Sequence, residues 1–180
     1  TKRTIVGDTP NVLFVHLQRI VFSFDTFTNE KINTKLEFPK VLDLKPYTVK
    51  GVAEREGSHE AFRSDPSLAP FLELDDDCFI YKLGGNYSLS TADHGHYYSL
   101  INTARGKDEK DPYEKEKEWL AVESDSWKEF NDDEVKFFSF KDLEKEAFGQ
   151  EISSFVQKEQ GSGKSAYMLV YERKKKTEIR

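Results

Sequence analysis

Between Asn11 and Phe24 the apolar side chains alternate, Leu13, Val15 and Leu17 in one phase and then Ile20, Phe22 and Phe24 in the other. Only an extended strand puts residues two apart on the same face. The change of phase at Gln18-Arg19 calls for a bulge or bend. Asp25 to Lys31 is polar and turn-rich, so it reads as the tip of a hairpin that returns from Ile32 to Phe38 and ends at Pro39.

The rest of the chain supports a sheet more than a bundle. Asp43 to Asp77 holds Gly51, Gly57, Pro46, Pro66 and Pro70, closes with the acidic run Glu73 to Asp77, and reads as an insertion at 43–77. Cys78 to Leu83 and Tyr97 to Ile101 read as strands, with Gly84-Gly85-Asn86 as a turn. Arg105 to Glu118 is mostly charged and is expected to be an exposed loop at 105–118. Trp127 to Phe130 reads as a short strand. Phe140 to Phe148 has a helical pattern, with Leu143 and Ala147 four apart and Gly149 placed to cap the end. Polar sequence from Gln150 to Lys164 leads to a final strand, Ala166 to Glu172. The order predicts one α+β domain dominated by an antiparallel sheet.

Charge and cysteine usage exclude several function classes. A net charge of -6 and a pI near 5.4 argue against nucleic acid as a partner and favour a basic protein surface. The one dense basic run, Arg173 to Lys176, reads as a solvated tail, and the acidic run before Cys78 as equally solvated. With Cys78 alone there is neither an internal disulfide nor a cysteine-paired zinc site, which fits a reducing compartment, cytoplasmic or nuclear. No apolar stretch approaches the roughly 20 residues of a membrane span. Thr1 to Thr4 leads into polar sequence and not into a signal-peptide core, so no membrane association is expected and the sequon Asn86-Tyr87-Ser88 carries little meaning.

Asp93-His94-Gly95-His96-Tyr97-Tyr98 is the segment richest in chemical groups. As a metal site it is short of ligands, since His16 and His59 lie in a strand and in the polar insertion, and zinc takes three or four. No metal and no cofactor is expected. The other reading is a general base: a histidine after a glycine turn, at the start of an aromatic strand, with a pKa that suits proton transfer near neutrality. Such a base needs an orienting partner, and Asn131 or Asp132, after Trp127 and Phe130, is placed to accept the hydrogen of the ring's Nδ1 from an adjacent strand. Gly161-Ser162-Gly163-Lys164-Ser165 resembles the end of a nucleotide-binding loop, but the first glycine of that motif falls at Lys158 and a strand follows where a helix is required.

Five blocks occur in one order: Pro10-Asn11-Val12-Leu13-Phe14-Val15-His16-Leu17-Gln18-Arg19; Lys31-Ile32-Asn33 with Phe38-Pro39; Thr91-Ala92-Asp93-His94-Gly95-His96-Tyr97-Tyr98-Ser99; Trp127-Lys128-Glu129-Phe130-Asn131-Asp132; and Ala166-Tyr167-Met168-Leu169-Val170-Tyr171. In order and spacing they resemble successive blocks of the ubiquitin-specific protease catalytic domain. The resemblance covers nearly the whole chain apart from the two polar insertions. It implies the C-terminal half of a papain-like cysteine protease fold, the palm and the base of the fingers.

Carried over position by position, the resemblance makes His96 the catalytic histidine and Asn131 the residue that orients it, with Asp132 an adjacent candidate. It implies thiolate attack at the C-terminal glycine of ubiquitin, with ubiquitin and ubiquitinated proteins as partners. Cys78 lacks the family's surroundings for the nucleophile and reads as a core cysteine. The thiol is therefore expected from an N-terminal, cysteine-bearing half of the same domain. Ile20, Lys31, Asp93, Tyr97 and Tyr167 are implied near the channel for ubiquitin's extended tail, bordered by the hairpin tip and by Thr91 to Gly95. Two features depart from the family pattern. Gln18 replaces a usual lysine, and Gly84-Gly85-Asn86 stands in a strand that is normally rich in valine. A degenerate half that binds ubiquitin or another protein without cleaving it is the alternative.

Overall fold

The structure is a computed structural model, and it describes residues 3–89, 96–103, 126–149 and 164–175. Nine strands form there: β1 Val12–His16, β2 Ile20–Ser23, β3 Thr28–Lys31, β4 Val41–Asp43, β5 Ile80–Leu89, β6 Tyr97–Asn102, β7 Trp127–Asn131, β8 Glu134–Phe137 and β9 Ser165–Arg173. Seven share one sheet in the order β1-β9-β5-β6-β7-β8, with β4 also paired to β5, while β2 and β3 form a separate hairpin. The pairings of β4 with β5, β5 with β6, β6 with β7 and β7 with β8 are all antiparallel. The sheet-dominated α+β architecture expected from the alternating runs is present.

The chain divides into two compact units. The first comprises residues 1–13, 40–82 and 171–180, and three short helices build much of it: α1 Val49–Glu56, α2 His59–Arg63 and α3 Ala69–Leu72. Thr48 caps α1 by accepting from the amide of Gly51, and Gly57 ends it at φ 63°, a left-handed conformation that glycine adopts without a Cβ penalty. Pro46 and Pro70 stand in the first turns of their helices, where the missing amide hydrogen costs nothing. Gly57, Pro46 and Pro70, which suggested an irregular insertion, are thus helix punctuation, whereas Gly51 lies inside α1 against the Lys45 carbonyl. Val49, Ala53 and Leu72 form a buried cluster against Ile5, Phe62, Leu68 and Phe71.

Two charge runs expected to be solvated belong to this unit and pair with each other. Lys174 lies 3.1 Å from Asp77 and Lys175 2.8 Å from Asp75, while Asp76 is held by Lys45 and Lys50. Arg173 is buried at 2% exposure and donates to the carbonyl and hydroxyl of Thr9. Partners about 100 residues apart in sequence leave no local signature, which is why each run read as a tail or a loop.

The second unit comprises residues 14–39 and 83–170. Its core holds Leu83, Leu100, Trp127 and Leu143 at 0–1% exposure, and Trp127 lies 4.9 Å from the Phe140 ring, centroid to centroid. Burying an indole of this size contributes about 3 kcal/mol or more. Helix α4, Leu143–Ala147, follows a 3₁₀ turn at Phe140–Asp142 and turns its Leu143 and Ala147 inward, as their spacing predicted. Gly149 ends it at φ 83°.

Several expected elements are corrected. The hairpin returns through Thr28–Lys31 and not through 32–38, because the four-residue turn at 24–27 is shorter than the polar run suggested. Gly84, Gly85 and Asn86 run straight through β5 instead of turning, and a Cβ at Gly85 would come within 3.0 Å of the Leu100 carbonyl, so the neighbouring strand's backbone crowds that site. Cys78 sits in the 3₁₀ turn Asp76–Phe79 ahead of β5 and not in the strand, and is buried at 3%. Strand β8 was missed: Glu134-Val135-Lys136-Phe137 alternates over only four residues, and all four are exposed.

Candidate active site

β6 and β7 run antiparallel with Ser99 opposite Phe130, which brings the start of β6 beside the end of β7. His96 immediately precedes β6, and Asn131 is the last residue of β7. The β7–β8 register pairs Asn131 with Glu134 and leaves Asp132-Asp133 as a two-residue turn. Asp132 takes φ 51°, a conformation that aspartate tolerates better than most residues and that matches strand twist in tight hairpins.

This local geometry brings the three residues together. The Nε2 of His96 stands 2.6 Å from the Oδ1 of Asn131, and its Nδ1 stands 3.9 Å from the Oδ2 of Asp132. An amide oxygen only accepts, so Nε2 donates and the neutral ring carries its lone pair at Nδ1. The sequence reading had the acceptor at Nδ1. Strand register sets which residues meet, but the ring nitrogen that faces the partner depends on side-chain torsions that spacing does not encode. The His96 side chain is 43% exposed and that of Asp132 76%, so the imidazole is reachable from solvent and its attraction to the carboxylate is screened to about 1 kcal/mol or less.

Behind the site β6 is anchored by Tyr98, which points away from the surface that Tyr97 presents. The Tyr98 hydroxyl donates to the Glu146 carbonyl at 3.3 Å, and the Lys164 ammonium lies 5.1 Å from its ring centroid while bonding the Glu146 carboxylate at 2.5 Å. Burial pushes the Tyr98 hydroxyl well above its ordinary pKa, so it stays a neutral hydrogen-bonding group.

Of the other expected residues, Tyr97 and Tyr167 meet with ring centroids 5.5 Å apart. Tyr167 in turn packs edge-on against His16 at 4.6 Å, a partner the sequence reading left as an ordinary strand residue. His16 follows the exposed phase of β1, opposite Leu13 and Val15, which is the one signal that separated it from the core. Ile20 and Lys31 pair with each other in the β2–β3 hairpin, and both are half-buried. Burial first and the charge of Arg19 second bring the Lys31 ammonium down to about 8. Asp93 and the segment from Thr91 to Gly95 lie outside the described residues, as do 105–118 and 161–163. The hairpin tip carries Phe24 and Phe27 at 79% and 76% exposure, so the second apolar phase of the opening strand runs from half-buried Ile20 out to solvent at Phe24.

The comparisons with known proteins agree with this layout. The family profile described as ubiquitin carboxyl-terminal hydrolase matches residues 3–171. Ubiquitin carboxyl-terminal hydrolase 34 of Homo sapiens is 33% identical over 184 residues, spanning 96% of this chain and 5% of that protein. Ubiquitin carboxyl-terminal hydrolase 24 of Homo sapiens is 30% identical over 194 residues, spanning 96% of this chain and 7% of that protein. The chain thus spans only a small part of the length of these curated relatives. Among solved structures, a chain of the SAGA Ubp8/Sgf11/Sus1/Sgf73 DUB module superposes with a TM-score of 0.52 at 19% identity, over 95% of this chain and 25% of that one. At that identity the likeness speaks to the fold, and it agrees with the antiparallel, papain-like α+β arrangement. Because the family match runs through nearly every described element, from the strand before the hairpin into β9, the chain belongs to the ubiquitin carboxyl-terminal hydrolases, the ubiquitin-specific proteases.

Proposed function

We propose that the chain is the histidine-bearing part of a thiol-dependent deubiquitinase that hydrolyses the isopeptide or peptide bond at the C-terminal glycine of ubiquitin. The observation that carries this reading is the 2.6 Å contact between His96 Nε2 and Asn131 Oδ1 at a solvent-accessible strand end. Nδ1 of the neutral ring takes the proton of a thiol, and the thiolate attacks the glycine carbonyl. The imidazolium then gives its proton to the departing lysine amine, and water drawn through the same ring releases the acyl group. Asn131 keeps the ring in one orientation and tautomer; Asp132 adds weak electrostatic support to the imidazolium.

Cys78 does not suit the nucleophile, being buried within the first unit's own core. The thiol is assigned instead to the cysteine-bearing part of the same catalytic domain. Tyr97, Tyr167, Lys31 and Ile20 are assigned to the ubiquitin tail. The edge-on pair of rings at Tyr97 and Tyr167 suits an extended peptide, whose backbone lies well along an aromatic wall. Asp93 is assigned to the same channel by resemblance alone.

Co-expression with the cysteine-bearing half is expected to yield cleavage of a fluorogenic amide at ubiquitin's C-terminus. In that complex His96→Ala is expected to lower kcat by about 10²–10⁴-fold, the usual contribution of a general base. Undiminished turnover in that variant removes His96 from the mechanism. Ubiquitin binding by the complex without any turnover in the unsubstituted protein favours instead a non-catalytic binding module.

A further inference from the structure

Arg19 lies between β1 and β2 at 4% exposure, and no carboxylate pairs with it among the described residues. Its charge is met by backbone carbonyls. Nε donates to the Ala166 carbonyl at 3.3 Å, and Nη1 donates to those of Ile32 at 3.1 Å and Thr34 at 2.5 Å. Nη2 makes no hydrogen bond among the described residues, and burial lowers the pKa of the guanidinium. A buried cation without a counter-ion is unfavourable for stability alone, and a well-packed apolar side chain of similar volume generally serves the core better.

The position of those carbonyls gives the charge a purpose. Ala166 immediately precedes Tyr167, Ile32 immediately follows Lys31, and Arg19 itself immediately precedes Ile20. The backbone of Arg19 extends the same tie: its amide donates to Leu17 O at 2.8 Å, its carbonyl accepts from Ile32 N at 2.7 Å, and Leu17 N donates to Tyr167 O at 2.8 Å. Every described residue assigned to the ubiquitin tail except Tyr97 is therefore next in sequence to Arg19 or to a carbonyl that its guanidinium holds. Tyr97 is linked to the set through its ring contact with Tyr167.

We infer that Arg19 is a positioning residue, whose guanidinium clamps the start of β2, the chain just after β3 and the start of β9 into one rigid wall for the ubiquitin tail. The inference rests on the function proposed above. A side chain with this role acts on tail binding more than on bond cleavage, because the three residues it holds touch the peptide ahead of the scissile bond and not the reacting atoms. Lysine cannot replace it: an ammonium is a point donor, whereas the planar fork reaches two separate segments at once.

The test uses Arg19→Lys and Arg19→Gln, read in two ways. In the 180-residue chain, amide hydrogen exchange is expected to speed up at least tenfold at Leu17 and Ile32 while Trp127 and Phe138 keep their protection. In the reconstituted protease, KM for the ubiquitin amide is expected to rise about tenfold with kcat within twofold. Unchanged exchange at Leu17 and Ile32 would overturn the clamp. Faster exchange with an unchanged KM, or a fall in kcat at unchanged KM, would overturn its link to the tail. Lost protection at Trp127 in both variants would assign Arg19 to global stability and overturn the inference as well. If the unsubstituted protease cleaves no ubiquitin amide, the proposed function is what fails, and the exchange measurement still reports on the clamp by itself.

Discussion

Lys31 shows how one side chain reports on its surroundings. Its ammonium titrates near 8 against an ordinary value of 10.5, first because it is half-buried and second because Arg19 is nearby. Between those two values the native chain binds fewer protons than the unfolded chain, so stability rises with pH through that window. Below pH 8 the cost of holding the charge in the fold is present in full; above about pH 10 it is gone. Lys31→Met, which keeps the length and removes the charge, is expected to be more stable than the parent at pH 7, with the gap closing between pH 8 and 10. Urea midpoints at a series of pH values check this, and a gap that does not change with pH contradicts it. Nothing in the sequence near Lys31 announces the shift. Arg19 is twelve positions away, and the two cations are brought together only by the hairpin pairing of β2 with β3. His96 and Asn131 are more legible, because each stands at the end of an aromatic strand within a block that carries the family resemblance.

At the level of elements, glycines separate what local sequence determines from what neighbours decide. Gly57 ends α1 at φ 63° with nothing within 4 Å of a built Cβ, whereas Gly149 ends α4 at φ 83° with a Cβ 2.6 Å from the Asn33 carbonyl oxygen. Gly57→Ala is expected to cost about 1 kcal/mol, the conformational term alone. Gly149→Ala meets that term and a backbone clash as well, and is expected to cost roughly 2–3 kcal/mol. Chemical denaturation of the two variants gives the comparison, and equal losses would show that the Asn33 contact yields without cost. The capping role of Gly149 was legible from the spacing of Leu143 and Ala147. The helices over 49–72 were not, because each is only 4–8 residues long, and α1 closes on a glycine and α3 opens with a proline, residues that mark loops elsewhere. Strand β8 was missed for a different reason: Glu134-Val135-Lys136-Phe137 does alternate, but four residues directly after the Asp132-Asp133 turn are the shortest run that can carry such a pattern, and no buried face marks it.

For the whole molecule, binding follows from how much of a tail channel one chain can supply. Tyr97, Tyr167, Lys31 and Ile20, the residues proposed for the tail, would supply part of a wall, and a peptide lying on them alone stays partly in water while still losing its freedom of motion. The 180-residue chain is therefore expected to bind ubiquitin with a Kd weaker than about 10 μM. Titration of labelled ubiquitin followed by NMR checks this, and submicromolar affinity would show that the chain holds a complete site. By itself the sequence determined the α+β class, the strand character of most sheet segments and the helix at 143–147, and its family resemblance singled out His96, Asn131 and Asp132 as the proposed catalytic group. Alternation, caps and motif spacing are local properties, and a chain carries them in any conformation. Only the tertiary structure decided that Nε2 and not Nδ1 meets Asn131, that His16 joins Tyr167 and Tyr97, that the acidic and basic runs neutralise each other, and that Arg19 ties its own segment to two others through their carbonyls. Each of these joins groups far apart along the chain or depends on a side-chain torsion, and such contacts exist only after strand order and register have brought the groups within a few ångströms.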